Sequence, residues 1–389
     1  MAYFAKATIQ EVIDHIDAIA VVNDYVRLEE RSGRYVGLCP FHHEKTPSFT
    51  VNPDLKLFHC FGCGKGGTVL SFVMEMDKLT FPEAVTFLAK RFGVPLVYEG
   101  GQQQDSSVDK RIDEITELYS RVAGSFHYVL TERPEGGAAL RYIASRNISR
   151  AMLDKFRVGY APSDRRWLFT FLEKKGYSAP FLAASGLFSP KYPQSSFFAN
   201  RLMFPIVDYR GRTIAFGGRL LANADGPKYV NSSESDVYKK GQTLFAIDLA
   251  MVDIRRTREA YLAEGYMDVI ALHQAGVTNA VAPLGTAFTD EQAKLLRRWA
   301  ERERLVFDAD DAGQRAAEKA ILTCRRNGLV CAIVEADSAV KDPADMLKAA
   351  GGDALREAMT HVVPDLEYLL RRYRARFDMA TSEGKAGAV

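Results

Sequence analysis

The stretch CPFHHEKTPSFTVNPDLKLFHCFGCGKGG, residues 39–67, holds three of the chain's five cysteines and three of its seven histidines. Cys39 and His42 form a C-x-x-H pair, Cys60 and Cys63 a C-x-x-C pair, and seventeen residues separate the two. Each pair suits a tight knuckle that presents two soft ligands from one side of a turn. Two such knuckles brought together make a closed tetrahedral zinc site, with thiolates at ~2.3 Å and an imidazole nitrogen at ~2.0 Å. Three thiolates and one imidazole leave no open position, so the zinc expected here is structural, not hydrolytic. His43 and His59 compete for the fourth place. His42 is preferred because it alone completes C-x-x-H with Cys39. Gly62, Gly64, Gly66 and Gly67 suit a backbone that turns around a metal. The GCGKGGT run looks like a phosphate loop but lacks the G-x-x-x-x-G-K-[ST] spacing.

Between the knuckles, SFTVNPDLKLFHC alternates and predicts a hairpin, which makes the module a zinc ribbon with short strands. In so small a domain Phe41, Phe49, Phe58 and Phe61 are expected in the core, with exposure to single-stranded nucleic acid as the alternative. Helical spacing in TVLSFVMEM and TFPEAVTFLAKRFG closes the module. Thr80, Pro82 and Glu83 read as a capping box at the second start. The polar, glycine-led EGGQQQDSSVDK then reads as a linker.

The whole chain of 389 residues has room for several domains, and its 47% hydrophobic and 26% charged residues are ordinary for a globular protein. No apolar run approaches the ~20 residues of a membrane span. Asp14, Asp17 and Asp24 interrupt the N-terminal apolar positions, so no secretory signal is read and the cytoplasm is expected. A net charge of +2 means that affinity for nucleic acid must come from local clusters. Cys324 and Cys331 read as buried small hydrophobes in a reducing compartment.

Residues from about Arg111 to Arg157 read as helices. From Phe198 to Ala246, β-rich runs broken by glycines follow, with YRGR as a hairpin tip. This region gathers Arg201, Arg210, Arg212, Arg219, Lys228, Lys239 and Lys240. Scattered surface charge is the bland reading. The place of Arg201 at a strand start and of Lys228 beside Tyr229 in GPKYVN favours phosphate contact. From Arg258 the pattern is β-α-β-α-β, with Thr289 and Gln292 as a capping box, and implies a parallel sheet covered on both faces. After DPADML the chain reads as helix again.

Ligands of open parallel sheets gather beyond the carboxyl ends of the strands. That rule singles out Glu264 after the first strand, Asp308 and Asp310 after the third, and Asp342 and Asp345 after the fourth. Such a cluster is tolerable around a hard divalent cation shared with substrate phosphates, which points to metal-assisted phosphoryl or nucleotidyl transfer. Asp311 reads as a helix cap and Asp268 as a first-turn helix acid.

EGYMDVIAL, FDADDAG and DPAD resemble the Toprim signature, shared by DnaG-type primases, topoisomerases and some nucleases. CPFHHEKTPSF and FHCFGCGKGG, with NRLMFPI, FGGR, PKYVNS, YKKGQTLF and APLGTAFTDEQAKLL, resemble the bacterial replicative DNA primase family over nearly the whole chain. The resemblance implies a multidomain fold. A small N-terminal zinc ribbon, β with flanking helices, is expected over 1–99 and a linker over 100–109. The N-terminal α+β part of an RNA polymerase core, with a basic ridge, follows over 110–257. A Toprim α/β parallel-sheet subdomain spans 258–347, and the start of a helical bundle occupies 348–389.

The implied activity is DNA-templated synthesis of short RNA primers from ribonucleoside triphosphates on single-stranded DNA. Glu264 matches the family's catalytic glutamate, Asp308 and Asp310 its metal pair, and Asp342 a further acid. Magnesium or manganese would be the catalytic ion. Arg146, Arg201, Lys228, Tyr229 and Lys240 fall in the motifs of the basic ridge, and Cys39, His42, Cys60 and Cys63 match the ligands of one structural zinc. Ala309 stands where the family often has glycine, and Ala344 replaces an acid for which Asp345 is the substitute. The family's helical domain that docks on the replicative helicase is not found before Val389, so the sequence reads as a fragment. Two other readings stay open: a Toprim nuclease or strand-passage enzyme, and a non-catalytic single-strand binder.

Overall fold

The computed structural model of the chain describes residues 4–31, 34–77, 79–97, 106–221, 226–285, 287–335, 342–376 and 381. The chain divides into two compact units, Met1–Asp109 and Lys110–Val389. Of the expected linker, residues 100–105 lie outside the described residues. From Ser106 the chain is already helical, in the long helix Ser106–Glu132.

In the first unit, five short strands form one antiparallel sheet in chain order: β1 (Glu29–Arg31), β2 (Arg34–Gly37), β3 (Phe49–Asn52), β4 (Leu57–Cys60) and β5 (Gly66–Thr68). The hairpin read from alternation is β3–β4, with Asn52 opposite Leu57. Its inward positions Phe49, Val51, Phe58 and Cys60 are buried. Phe49 stacks on Phe58 at 5.5 Å, and Phe72 of the helix Val69–Asp77 meets Phe58 edge-on at 5.3 Å. Phe41 packs on both. Phe61 corrects the expectation: it is 69% exposed. It sits on the knuckle between two cysteine ligands, where the backbone is bent around the metal position and points away from the sheet core. At the start of the helix Phe81–Phe92, the Glu83 carboxylate accepts from the Thr80 amide at 2.8 Å, as the capping box predicts.

The second unit holds two sheets among its described residues. The first is antiparallel, in the order β6 (Gly159–Ala161), β7 (Arg201–Val207), β8 (Thr213–Leu220), β9 (Tyr229–Asn231). Its β7–β8 hairpin turns at YRGR, where Gly211 takes a φ of 81°. The second sheet has strands β10 (Glu259–Ala263), β11 (Ala280–Val281), β12 (Arg302–Val306), β13 (Val330–Val334) and β14 (Val362–Pro364), ordered β11-β10-β12-β13-β14. The first four are parallel, as the alternation implies. β14 is an antiparallel edge strand on β13, in a region where the sequence reads as helix alone. A three-residue strand carries too little pattern to be seen without its partner.

Alternation in β10, β12 and β13 splits the core in two. Ala263, Val306 and Val334 face the helices Tyr266–Gln274 and Pro343–Ala358, in an apolar cluster that continues into Leu202, Phe204 and Ile206 of β7. Leu262, Leu305 and Ile333 face the helices Ile247–Thr257, Asp290–Arg297, Asp311–Arg326 and Asp365–Arg376. The Thr289–Gln292 capping box is made in both directions at 3.1 Å. Among the described residues no helix is long and apolar enough to cross a membrane.

Candidate functional site

The ligand atoms of Cys39, His42, Cys60 and Cys63 all lie within 4.8 Å of one another. Cys39 Sγ is 3.9 Å from Cys63 Sγ, and Cys60 Sγ is 3.8 Å from His42 Nδ1. A tetrahedron with bonds of ~2.3 Å has edges of about 3.8 Å, so this donor set fits zinc. The fit selects His42 over His43 and His59. Gly62 is required beside it, because a Cβ there would fall 2.7 Å from the His42 ring. Gly64, at φ 73°, makes the left-handed turn after the second cysteine pair.

The sequence reading missed Glu44. Its carboxylate lies 3.2 Å from His42 Nε2 and accepts from the amides of Cys39 at 2.7 Å and Ser48 at 3.1 Å. It orients the imidazole from behind, as outer carboxylates do for zinc-bound histidine. The signal was the H-x-E spacing of His42 and Glu44.

In the second unit the carboxyl edge of the parallel sheet opens into a cavity of about 380 Å³. Glu264, Asp268, Asp308, Asp342 and Asp345 line it, and so do Arg146, Arg219, Lys228, Tyr229 and Asn231. Glu264 follows β10, and its Oε1 accepts from the Asp308 amide at 2.7 Å, tying two strand ends together. Asp342 caps the helix Pro343–Ala358 by accepting from the Asp345 amide at 2.7 Å. Asp345 pairs with Arg146 at 2.7 Å. Burial, joined by the charges of Asp342, Asp308 and Glu264, pushes the Asp268 carboxyl up to about 8. Asp268 does sit in the first helical turn after Gly265, as read, but that turn aims it at the other acids.

The donors are all carboxylate oxygens, and their mutual repulsion is what a divalent cation relieves, so the residues present fit magnesium or manganese. Among the described residues only the cysteine–histidine quartet has all its ligand atoms within 4.8 Å. The carboxylates surround a space instead of closing on a point, which suits a cation that keeps several waters.

Three sequence-derived residues are not among those lining the cavity. Asp310, not Asp311, is the N-cap of the helix Asp311–Arg326, accepting from the amides of Ala312 at 3.1 Å and Gly313 at 3.0 Å. The chain enters the helix one residue earlier than the sequence reading has it. Arg201 is buried, and its Nη1 donates to the carbonyls of Gly218 at 3.3 Å and Pro227 at 3.0 Å. It braces the segment that presents Lys228. Lys240 lies in the turn Lys240–Gln242, where its carbonyl accepts from Gln292 Nε2 at 3.0 Å.

Sequence comparison assigns each region. Residues 4–104 match the family described as CHC2 zinc finger, 126–251 the DNA primase catalytic core N-terminal domain, and 261–347 the Toprim-like family. The DNA primase of Treponema pallidum is 45% identical over 389 residues, which is 100% of this chain and 64% of that protein. The chain thus spans under two thirds of that relative's length. The Aquifex aeolicus primase structure, of zinc-binding and RNA polymerase domains, is 34% identical with a TM-score of 0.62, covering 95% of this chain and 88% of that one. A DnaG primase catalytic domain bound to single-stranded DNA is 30% identical with a TM-score of 0.63, covering 72% and 88%. The fold and site therefore define a Toprim-containing chain with a zinc ribbon. It belongs to the bacterial DNA primase family.

Proposed function

We propose that the chain is a DNA-dependent RNA polymerase of the primase type. It joins ribonucleoside triphosphates into short primers on single-stranded DNA in the cytoplasm. The observation that carries this reading is one cavity in which five carboxylates meet Arg146, Arg219 and Lys228. Glu264, Asp308, Asp342 and Asp345 would hold a divalent cation, magnesium or manganese, with Asp310 beside them at the helix start. When bound, that ion lowers the pKa of the attacking 3′-hydroxyl and offsets the charge of the leaving pyrophosphate.

The chain's own residues do the rest. Arg146, Arg219 and Lys228 bind the triphosphate and fix its direction. The Asp308 amide holds Glu264 in orientation before substrate arrives, so little reorganisation is left for the reaction. Arg201 keeps the Lys228 segment in place. The zinc-stapled unit reads the template, and exposed Phe61, edge-on to His59 at 4.7 Å, offers an unpaired base a ring to stack on. Docking on a replicative helicase, expected from the resemblance, is assigned to none of the described residues.

The test is incubation with single-stranded template, labelled ribonucleotides and Mg²⁺. Short RNA products are expected, and Asp308→Ala lowers their yield by at least about 100-fold while template binding stays near wild type. An unchanged yield removes Asp308 from the metal site. Shortened DNA instead of RNA would make the chain a nuclease, and a bare mobility shift would make it a binder.

A further inference from the structure

The helix Gly137–Ser145 ends just before Arg146, and Tyr142 lies one turn back on the same side. The Arg146 guanidinium carbon is 5.5 Å from the centre of the Tyr142 ring. That of Arg219, from β8, is 4.7 Å from the same ring. Both fall within the ~6 Å range over which an aromatic face attracts a cation. Arg219 is held a second time by Tyr229, its cross-strand partner on β9. The Tyr229 ring centre is 5.4 Å away, and its hydroxyl accepts from Arg219 Nη1 at 2.9 Å. Tyr229 in turn lies 6.0 Å from Tyr266, whose hydroxyl meets Asn231 at 2.5 Å.

We infer that Tyr142 is a positioning residue for the nucleoside triphosphate, its ring holding Arg146 and Arg219 side by side so that both reach one polyanion. The inference rests on the primase reading of the cavity. Two guanidinium groups in one cavity repel, and each has acids at hand to turn to. Arg146 is already paired with Asp345. A π-face attracts both cations without neutralising either, so their charge stays available to phosphate. The Tyr142 hydroxyl is buried beside Arg146 but makes no hydrogen bond of ordinary geometry among the described residues. The ring is the feature that Arg146 and Arg219 share, so the positioning is assigned to the ring.

The test measures ATP binding in the presence of Mg²⁺ by calorimetry, alongside primer synthesis, for the full chain. Tyr142→Leu is expected to weaken ATP binding and raise the nucleotide KM by about tenfold, with kcat within about twofold. Tyr142→Phe restores both. Adding fluorines one by one to the ring of the Tyr142→Phe variant drains the π-face at nearly constant shape, and ATP binding falls stepwise. This series carries the test if the leucine variant folds poorly. Wild-type affinity in Tyr142→Leu, a phenylalanine variant no better than leucine, or a flat fluorine series overturns the inference. Stepwise loss of ATP binding in a chain that makes no RNA would sink the primase reading and leave Tyr142 as assigned. RNA synthesis with a flat series would do the reverse.

Discussion

Glu303 stands in the middle of β12, fully buried, with neither carboxylate oxygen hydrogen-bonded among the described residues. Burial, with the charges of Cys331 and Glu259, raises its pKa well above 4.5. The native chain keeps this proton to a higher pH than the unfolded chain, whose carboxyl ionises near 4.5. Stability therefore falls as pH rises from about 4.5 toward the native value. Glu303→Met should raise stability at pH 8 by about 1–3 kcal/mol and flatten the slope between pH 5 and 8, read by urea unfolding. A slope unchanged from wild type would mean that Glu303 does not cause it. Glu44 offers a second test: Glu44→Gln should weaken zinc binding about 10–100-fold in a chelator competition. Unaltered affinity would remove Glu44 from the support of His42. Residues of this kind were the least legible in sequence. Cys39, His42, Cys60 and Cys63 announce themselves because ligand spacing is local. Glu303, Asp268 and Tyr142 owe much of their environments to residues distant in the chain: Glu259 for Glu303, Asp308 and Asp342 for Asp268, Arg219 for Tyr142.

The element that matters most is the turn from β12 into the helix Asp311–Arg326. A Cβ at Gly313 would lie 2.3 Å from the Asp308 carbonyl oxygen and 2.7 Å from Glu264 Oε1. The helix start can pack against both acids only because glycine is there. Gly313→Ala is expected to lower primer synthesis about 10–100-fold by shifting Glu264, with a stability loss of about 1–3 kcal/mol. Full activity in that variant would show that the turn tolerates displacement. At this scale the sequence was informative where pattern was long. The β3–β4 hairpin, the four parallel strands and the Thr289 cap all follow from periodicity or capping chemistry. β14 and the Asp310 cap do not, since a three-residue edge strand and a one-residue shift at a helix start are fixed by tertiary contacts.

At the scale of the molecule the chain is two compact units, and the smaller carries the cysteine–histidine quartet that fits zinc. Chelating zinc should unfold the first unit and leave the thermal transition of the second unchanged, seen as one lost and one retained transition in calorimetry. Simultaneous loss of both would show that the units fold as one. The proposed chemistry requires the carboxylates at the sheet edge to hold a divalent cation facing Arg146, Arg219 and Lys228. Anomalous scattering from a crystal soaked with Mn²⁺ and a ribonucleoside triphosphate tests it most directly. A manganese peak is expected about 2.0–2.3 Å from oxygens of Glu264 and Asp308, with the phosphates against the three cations. A peak elsewhere, or phosphates bound away from those cations, would contradict it.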